Sequence, residues 1–223
     1  MNKDIIRRLI QVFSIQILQG AILFIAAGTL SWKWAWILLL LGAVILIINL
    51  FLLPAELIEE RGRKKDNVKK WDKILTSINI FPTILMYVFS GLDQRFNWTG
   101  DVNIIINIAG LALFFSGSMI FTWSMVSNKF FSTLVRLQAD RQHTVATEGP
   151  YKHVRHPGYL GYIIFTLATP IALGTFWGLI FSGITGILLI VRTVLEDTTL
   201  KIELPGYAEY TENVKYRLIP FLW

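Results

Sequence analysis

Six apolar segments, at residues 9–30, 34–53, 73–91, 103–126, 158–173 and 177–195, dominate this chain of 223 residues. The first four reach or approach the ~20 residues a helix needs to cross a hydrocarbon core of ~30 Å. In lipid every backbone N–H and C=O must be satisfied within the segment, so the expected fold is an all-α, polytopic membrane helical bundle of about six spans. The last two segments are shorter and joined only by Gly174-Thr175-Phe176, which predicts a short C-terminal helical hairpin or a partly re-entrant pair. Lys3, Arg7 and Arg8 precede the first segment as they would in a signal peptide. Its apolar stretch is too long for that, and no small-residue cleavage pattern follows. With 54% hydrophobic and only 16% charged residues, the chain cannot build a soluble surface.

Charge sets the expected orientation. Under six crossings, all of the 21 Lys and Arg residues except Lys33 and Arg95 fall on one side, and cytoplasmic loops carry such an excess. Both termini and the loops 54–72 and 127–157 are therefore expected in the cytoplasm. The net charge of +6 reads as topology and attraction to anionic membrane lipids, with no nucleic-acid partner expected. There is no cysteine, and His143, His153 and His156 are the only histidines, so no metal site is expected.

Several features read as packing or solvation. The run "EERGRKKDNVKK", residues 59–70, is expected to be a solvated loop. Gln16 and Gln19 share a face of the first span, with Gln11 flanking them, and read as hydrogen-bonding glue between helices. Gly178, Ser182 and Gly186 form a stripe that lets another helix approach closely.

The chemistry concentrates in the 127–157 loop and after residue 190. In "GPYKHVRHPGYLG", residues 149–161, the chain should turn into a helix at His156-Pro157, because proline is favoured at the first helical position. The N–H groups of Gly158 and Tyr159, with the helix dipole, then offer a seat for a carboxylate or phosphate, beside Arg155 and His156. The bland alternative is that Lys152 and Arg155 mark the membrane border while His156 caps the helix. In "RTVLED", Arg192 and Glu196 stand four apart on one helical face, either a functional pair at membrane depth or a plain ion pair. The tail "PGYAEYTENVKYRLIPFLW" spaces Tyr207, Tyr210, Val214 and Leu218 as an amphipathic C-terminal helix on the membrane surface, covering the site.

The runs "HTVATEGPYKHVRHPGYLG", "RTVLED" and "PGYAEYTENVKYRLIP" resemble the isoprenylcysteine carboxyl methyltransferase family and its phospholipid methyltransferase relatives, integral membrane enzymes that use S-adenosylmethionine. The likeness covers roughly the C-terminal 90 residues. It implies that His143, Thr144, Val145 and Ala146 contact the cofactor, with Tyr151 and the His156-Pro157-Gly158-Tyr159 element. It also implies that Arg192 meets the substrate carboxylate and that Glu196 binds cofactor. A cofactor-contacting glutamine of eukaryotic members falls at about Arg136 here, with Gln138 close by. The chain is thus expected to form one membrane domain over 1–223, with four N-terminal spans in 1–126 and the catalytic part, including a cytoplasmic cofactor pocket, in 127–223.

The residues suit that chemistry. The carboxylate of S-adenosylmethionine fits the helix start at Pro157, its ammonium fits Glu196, and its adenine fits Val145 and Tyr151. The acceptor is expected to be a lipophilic small molecule or lipidated substrate entering from the bilayer. An ionised carboxylate acceptor needs no base and would be oriented by Arg192; a lipid amine would need one, with Glu196 the nearest candidate. A sterol-type reductase binding NADPH, whose tail is similar, and a non-enzymatic membrane protein stand as alternatives.

Overall fold

The computed structural model describes residues 2–223 as a set of helices and their connections. These are α1 Lys3–Ala27, α2 Lys33–Leu52, α3 Ala55–Gly62, α4 Lys70–Phe96, α5 Ile104–Val126, α6 Pro157–Leu173, α7 Gly178–Glu203 and α8 Tyr207–Asn213. Single turns of tighter helix at Ala139–Arg141 and Gly149–Lys152 punctuate the long α5–α6 connection. Five helices (α1, α2, α4, α5 and α7) are long and apolar enough to cross a membrane, and α6 is a shorter apolar helix of 17 residues. Large apolar side chains such as Ile25, Phe51 and Phe81 point outward, as an integral membrane bundle requires.

The helix ends follow local chemistry. Asn2 and Asn103 cap α1 and α5, each side chain accepting from the backbone N–H two residues on. Pro157 opens α6 where the sequence places it. α7 continues past the apolar segment to Glu203, because no breaker appears before Pro205-Gly206. Its last two turns thereby carry charged side chains beyond the apolar stretch. α6 and α7 form a helical hairpin around Gly174-Thr175-Phe176.

Close backbone approach holds α6 against α5. A Cβ placed on Gly161 would sit 2.6 Å from the Gly117 carbonyl, and one on Gly117 would sit 2.7 Å from the Phe165 N. Gly178 in α7 likewise faces Ser90 of α4 and Pro170 of α6, as the small-residue stripe predicts, whereas Gly186 has only ordinary contact with Ile163. Gln16 Nε2 donates to the Leu39 carbonyl at 3.1 Å, tying α1 to α2.

Leu23, Ala27, Trp32, Ala35, Leu38, Ala172 and Leu173 form a core at one end of the bundle. At the other end the charged segments converge. Arg7 donates to the Gly62 carbonyl, Lys69 pairs with Glu203 at 2.6 Å, and Arg192 pairs with Asp72. The 59–70 run is not simply solvated, as expected from its charge. Glu60 and Arg61 are buried in α3, and the Lys65 side chain folds back onto Glu60. The tail also differs. Its helix α8 has only seven residues, and Tyr207, Tyr210, Val214 and Leu218 pack inward on the protein, the first three with Leu204, Leu200, Leu137 and Val145. Arg155 and His156 donate their backbone N–H groups to the Tyr216 and Arg217 carbonyls, so the tail docks on the protein by backbone pairing.

Candidate active site

A cavity of about 450 Å³ opens at the charged end, roofed by the α5–α6 connection and tail and floored by α4, α6 and α7. That volume suits a small-molecule ligand. Its rim includes His143, Thr144, Val145 and Ala146 from the connection, with Tyr151 beyond. His156, Gly158 and Tyr159 reach it from the start of α6, and Arg192 and Glu196 from α7. All residues expected at the site from sequence therefore meet in one cavity except Pro157, which is buried at the helix start and does not line it.

Arg192 and Glu196 are not partnered with one another. Arg192 Nε and Nη2 donate to the two oxygens of Asp72 at 2.7 and 3.2 Å, and Nη2 also donates to the Thr133 carbonyl. Asp72, fully buried in the first turn of α4, accepts in addition from the Val135 N–H at 2.7 Å. One carboxylate thus joins α4, α7 and the connection. The planar fork of Arg192 is occupied by Asp72, which leaves its Nη1 edge without a partner among the described residues. Glu196 accepts a hydrogen bond from the Tyr159 hydroxyl. The Tyr159 ring stacks on His156 at 5.8 Å and lies 5.2 Å from the Arg192 guanidinium.

Below the helix start sits a second acid that the sequence reading passed over. Asp197 is fully buried and receives Arg155 through two hydrogen bonds of 2.7 and 3.0 Å, Arg217 at 3.0 Å and the Tyr207 hydroxyl at 3.0 Å. His156 Nε2 lies 3.3 Å from both Asp197 and the Tyr207 hydroxyl. Arg155 is accordingly a buried structural cation that also donates to the Val214 and Lys215 carbonyls, and the His156 ring turns to Asp197 without capping α6. Lys152 stays at the surface, paired with Glu148. The Tyr159 N–H already donates to the His156 carbonyl at 3.1 Å, so it is closed to a ligand. A Cβ on Gly158 would stand 2.6 Å from the Phe131 ring, which shows that the close approach there is to Phe131.

Tyr151 is buried, its hydroxyl donating to the Ser124 carbonyl and accepting from Asn128, while its own carbonyl accepts from Tyr210 at 2.6 Å. Burial pushes the phenols of Tyr151, Tyr207 and Tyr210 well up, so all three stay protonated. Burial, then Arg136 and Arg141, lower His143 to about 4, which keeps its ring neutral against Phe130 at 4.5 Å. Arg136 pairs with Glu60 at 2.8 Å and lines the cavity. Gln138 is fully buried, holds the Phe130 carbonyl at 2.7 Å and does not line it.

Buried polar atoms without a hydrogen-bond partner also border the cavity: Thr76 Oγ1, Asn79 Oδ1, Ser132 Oγ, Arg136 Nε and Arg61 Nη1. Such atoms are costly unless a ligand or water meets them. Thr76, Asn79 and Ser132 belong to no recognisable motif, and only their three-dimensional convergence singles them out.

Comparison with known proteins gives this region a lineage. Residues 102–202 match the model of the isoprenylcysteine carboxyl methyltransferase (ICMT) family. This segment is similar to the ICMT family. It runs from the start of α5 to near the end of α7 and so contains every expected site residue, but it stops short of the docked tail. The chain is 41% identical over 46 residues to the protein-S-isoprenylcysteine O-methyltransferase of Schizosaccharomyces pombe, covering 21% of this chain and 20% of that protein. It is 28% identical over 99 residues to protein-S-isoprenylcysteine O-methyltransferase A of Arabidopsis thaliana, covering 44% and 43%. A probable enzyme of the same name from Oryza sativa subsp. indica is 30% identical over 69 residues, covering 30% and 36%. The aligned ICMT stretch thus spans less than half the length of these relatives.

Proposed function

We propose that the protein is a membrane methyltransferase that moves a methyl group from S-adenosylmethionine to the carboxylate of a lipophilic, isoprenylcysteine-like acceptor, with residues 127–223 as its catalytic part. The observation that carries this reading is the meeting, within the family-matched segment, of the 143–146 stretch, the Tyr159–Glu196 pair and Arg192 in one cavity. The names of the relatives favour O-methylation over a lipid amine.

The residues present fit S-adenosylmethionine. Glu196 offers a carboxylate to its ammonium, the unpartnered Nε of Arg136 offers a donor to its carboxylate, and the unpartnered Ser132, Thr76 and Asn79 offer partners to its hydroxyls and ring nitrogens. When bound, it supplies an electrophilic methyl carbon on a sulfonium. Tyr159 fixes the Glu196 carboxylate through its hydroxyl, which leaves the other carboxylate oxygen for a ligand. Arg192, braced by Asp72 and Thr133, presents its Nη1 edge to the acceptor carboxylate and orients it without the full fork that a free arginine would offer. A carboxylate is already ionised, so no general base is needed, and catalysis rests on positioning and water exclusion. Tyr207 and Tyr210, at the cavity edge, close the tail over the site.

Calorimetry on the detergent-purified protein tests this directly. S-adenosylmethionine should bind; binding of NADPH alone would mark a reductase and overturn the reading. Glu196→Gln should weaken S-adenosylmethionine by about 1.5–3 kcal/mol, the worth of a charged hydrogen bond. Arg192→Lys should leave that affinity nearly intact while lowering methylation of an S-farnesylcysteine analogue; equal loss of cofactor affinity in both variants would refute the division of roles.

A further inference from the structure

Arg61, near the end of α3, is used by neither the fold nor the reaction in an evident way. It is 8% exposed, its Nη1 is buried with no hydrogen bond, and no carboxylate pairs with it among the described residues. Its one favourable neighbour is the Phe131 ring, 5.3 Å from the guanidinium carbon. Burial, and then the like charge of Arg8 in α1, hold its pKa below the usual arginine range. A buried cation set beside a second cation is costly unless an anion joins them.

The space beside these two arginines shows what kind of anion fits. A second cavity of about 120 Å³ lies between α1, α2, α3 and α5, with Arg8 and Arg61 in its wall. The rest of that wall is mainly apolar, with Leu9 and Val12 of α1 and Leu46 and Leu50 of α2. Leu50 is 39% exposed on the outer surface, so the cavity reaches the surface that lipid covers. Arg8 lies in the second turn of α1, just inside the charged end, at the depth where phosphate headgroups meet a crossing helix.

We propose that this cavity binds one anionic phospholipid of the surrounding bilayer, its phosphate held between Arg8 and Arg61 and part of an acyl chain laid along the α1–α2 wall. A free phosphate would satisfy the guanidinium groups but leave the apolar wall unfilled. The site adjoins the active site: Arg61 and Phe121 line both cavities, and Phe131, on which Arg61 rests, packs against Gly158 at the start of α6. Lipid occupancy therefore braces the wall of the reaction cavity from outside.

Native mass spectrometry and thermal unfolding of the purified chain test the site with palmitoyl-oleoyl phosphatidylglycerol, phosphatidylcholine of the same chains, and inorganic phosphate. The wild type should retain one phosphatidylglycerol after phosphatidylcholine has been stripped, and its unfolding midpoint should rise with phosphatidylglycerol only. Arg61→Gln should lower that retention about ten-fold through loss of charge-assisted hydrogen bonds. Arg7→Gln, which removes an equal charge from an exposed neighbour outside the cavity, should leave it unchanged. Should Arg61→Gln fail to elute as folded protein, Arg8→Gln is read in its place. Equal retention of the two lipids, equal loss in Arg7→Gln, or a phosphate-induced shift matching that of phosphatidylglycerol would each overturn the proposal.

Discussion

Asp197 concentrates more of the site's order than any other side chain. Five side chains converge on its two oxygens: Arg155, His156, Tyr207 and Arg217 by hydrogen bonds and Lys201 at 3.7 Å. Asn in its place would keep the shape and lose the charge, stranding the Arg155 guanidinium in a buried setting. Breaking one partner of a buried pair costs about 3–5 kcal/mol. Asp197→Asn should therefore lower the thermal midpoint in detergent sharply, whereas Lys152→Ala, at an exposed pair, should cost about 0–1 kcal/mol. Similar small losses for both would show that Asp197 is not the keystone of the tail. His143 makes a pH prediction. Its folded pKa of about 4 lies below the ordinary value of about 6.5, so the unfolded chain takes up a proton that the folded chain refuses. The stability it contributes is complete above about pH 6.5 and is lost as pH falls toward about 4. His143→Gln should flatten the midpoint-against-pH curve in that window; an unchanged slope would assign the acid sensitivity elsewhere.

At the scale of the element, Gly158 shows how a correct position can carry a revised reason. The sequence places the start of α6 at Pro157 and a close approach at Gly158, and both are present. The group that approaches is the Phe131 ring, with Ser124 behind it, and one of the two backbone donors expected for an anion is already bonded. Gly158→Val should thus drive Phe131 from its place against Phe121 and lower stability. Phe131→Ala in the same chain should recover at least half of the lost thermal midpoint. A double variant as unstable as Gly158→Val alone would show that crowding against Phe131 is not the cause. The spans were readable because hydrophobic length is a local property, and His143, Tyr159, Arg192 and Glu196 because their motifs are short. Arg61 was hidden in a charged run whose local pattern is that of a solvated loop, and Asp72 stands just after that run. Their meaning lies in partners far along the chain, such as Arg192 at 120 residues from Asp72. Asp197 stands next to Glu196, yet its role is visible only when the tail folds back onto it.

Across the whole molecule, the helix order itself sorts the charges. The starts of α1, α4 and α6 and the ends of α2, α5 and α7 gather at one end, where Asp72, Glu203 and Gly62 receive Arg192, Lys69 and Arg7. Lys33 and Arg95 are left at the other, beside the core around Trp32. A bundle with this asymmetry should insert with its basic end in the cytoplasm, since loops rich in Lys and Arg resist translocation. The candidate active-site cavity lies at that end, so on the proposed function it should open to the compartment that holds soluble S-adenosylmethionine, with the exposed apolar flanks of α1 and α4 left to the bilayer. Two reporter fusions decide the matter. One placed after Trp98, in the turn between α4 and α5, should report the outer side; one placed after Gln142, in the α5–α6 connection, should report the cytoplasm. Exchanging Lys33 and Arg95 for glutamine should strengthen this orientation slightly, because the only opposing charges are then gone. If both fusions reported the same side, α5 would not cross, and the six-helix arrangement around the cavity would have to be inserted in another way.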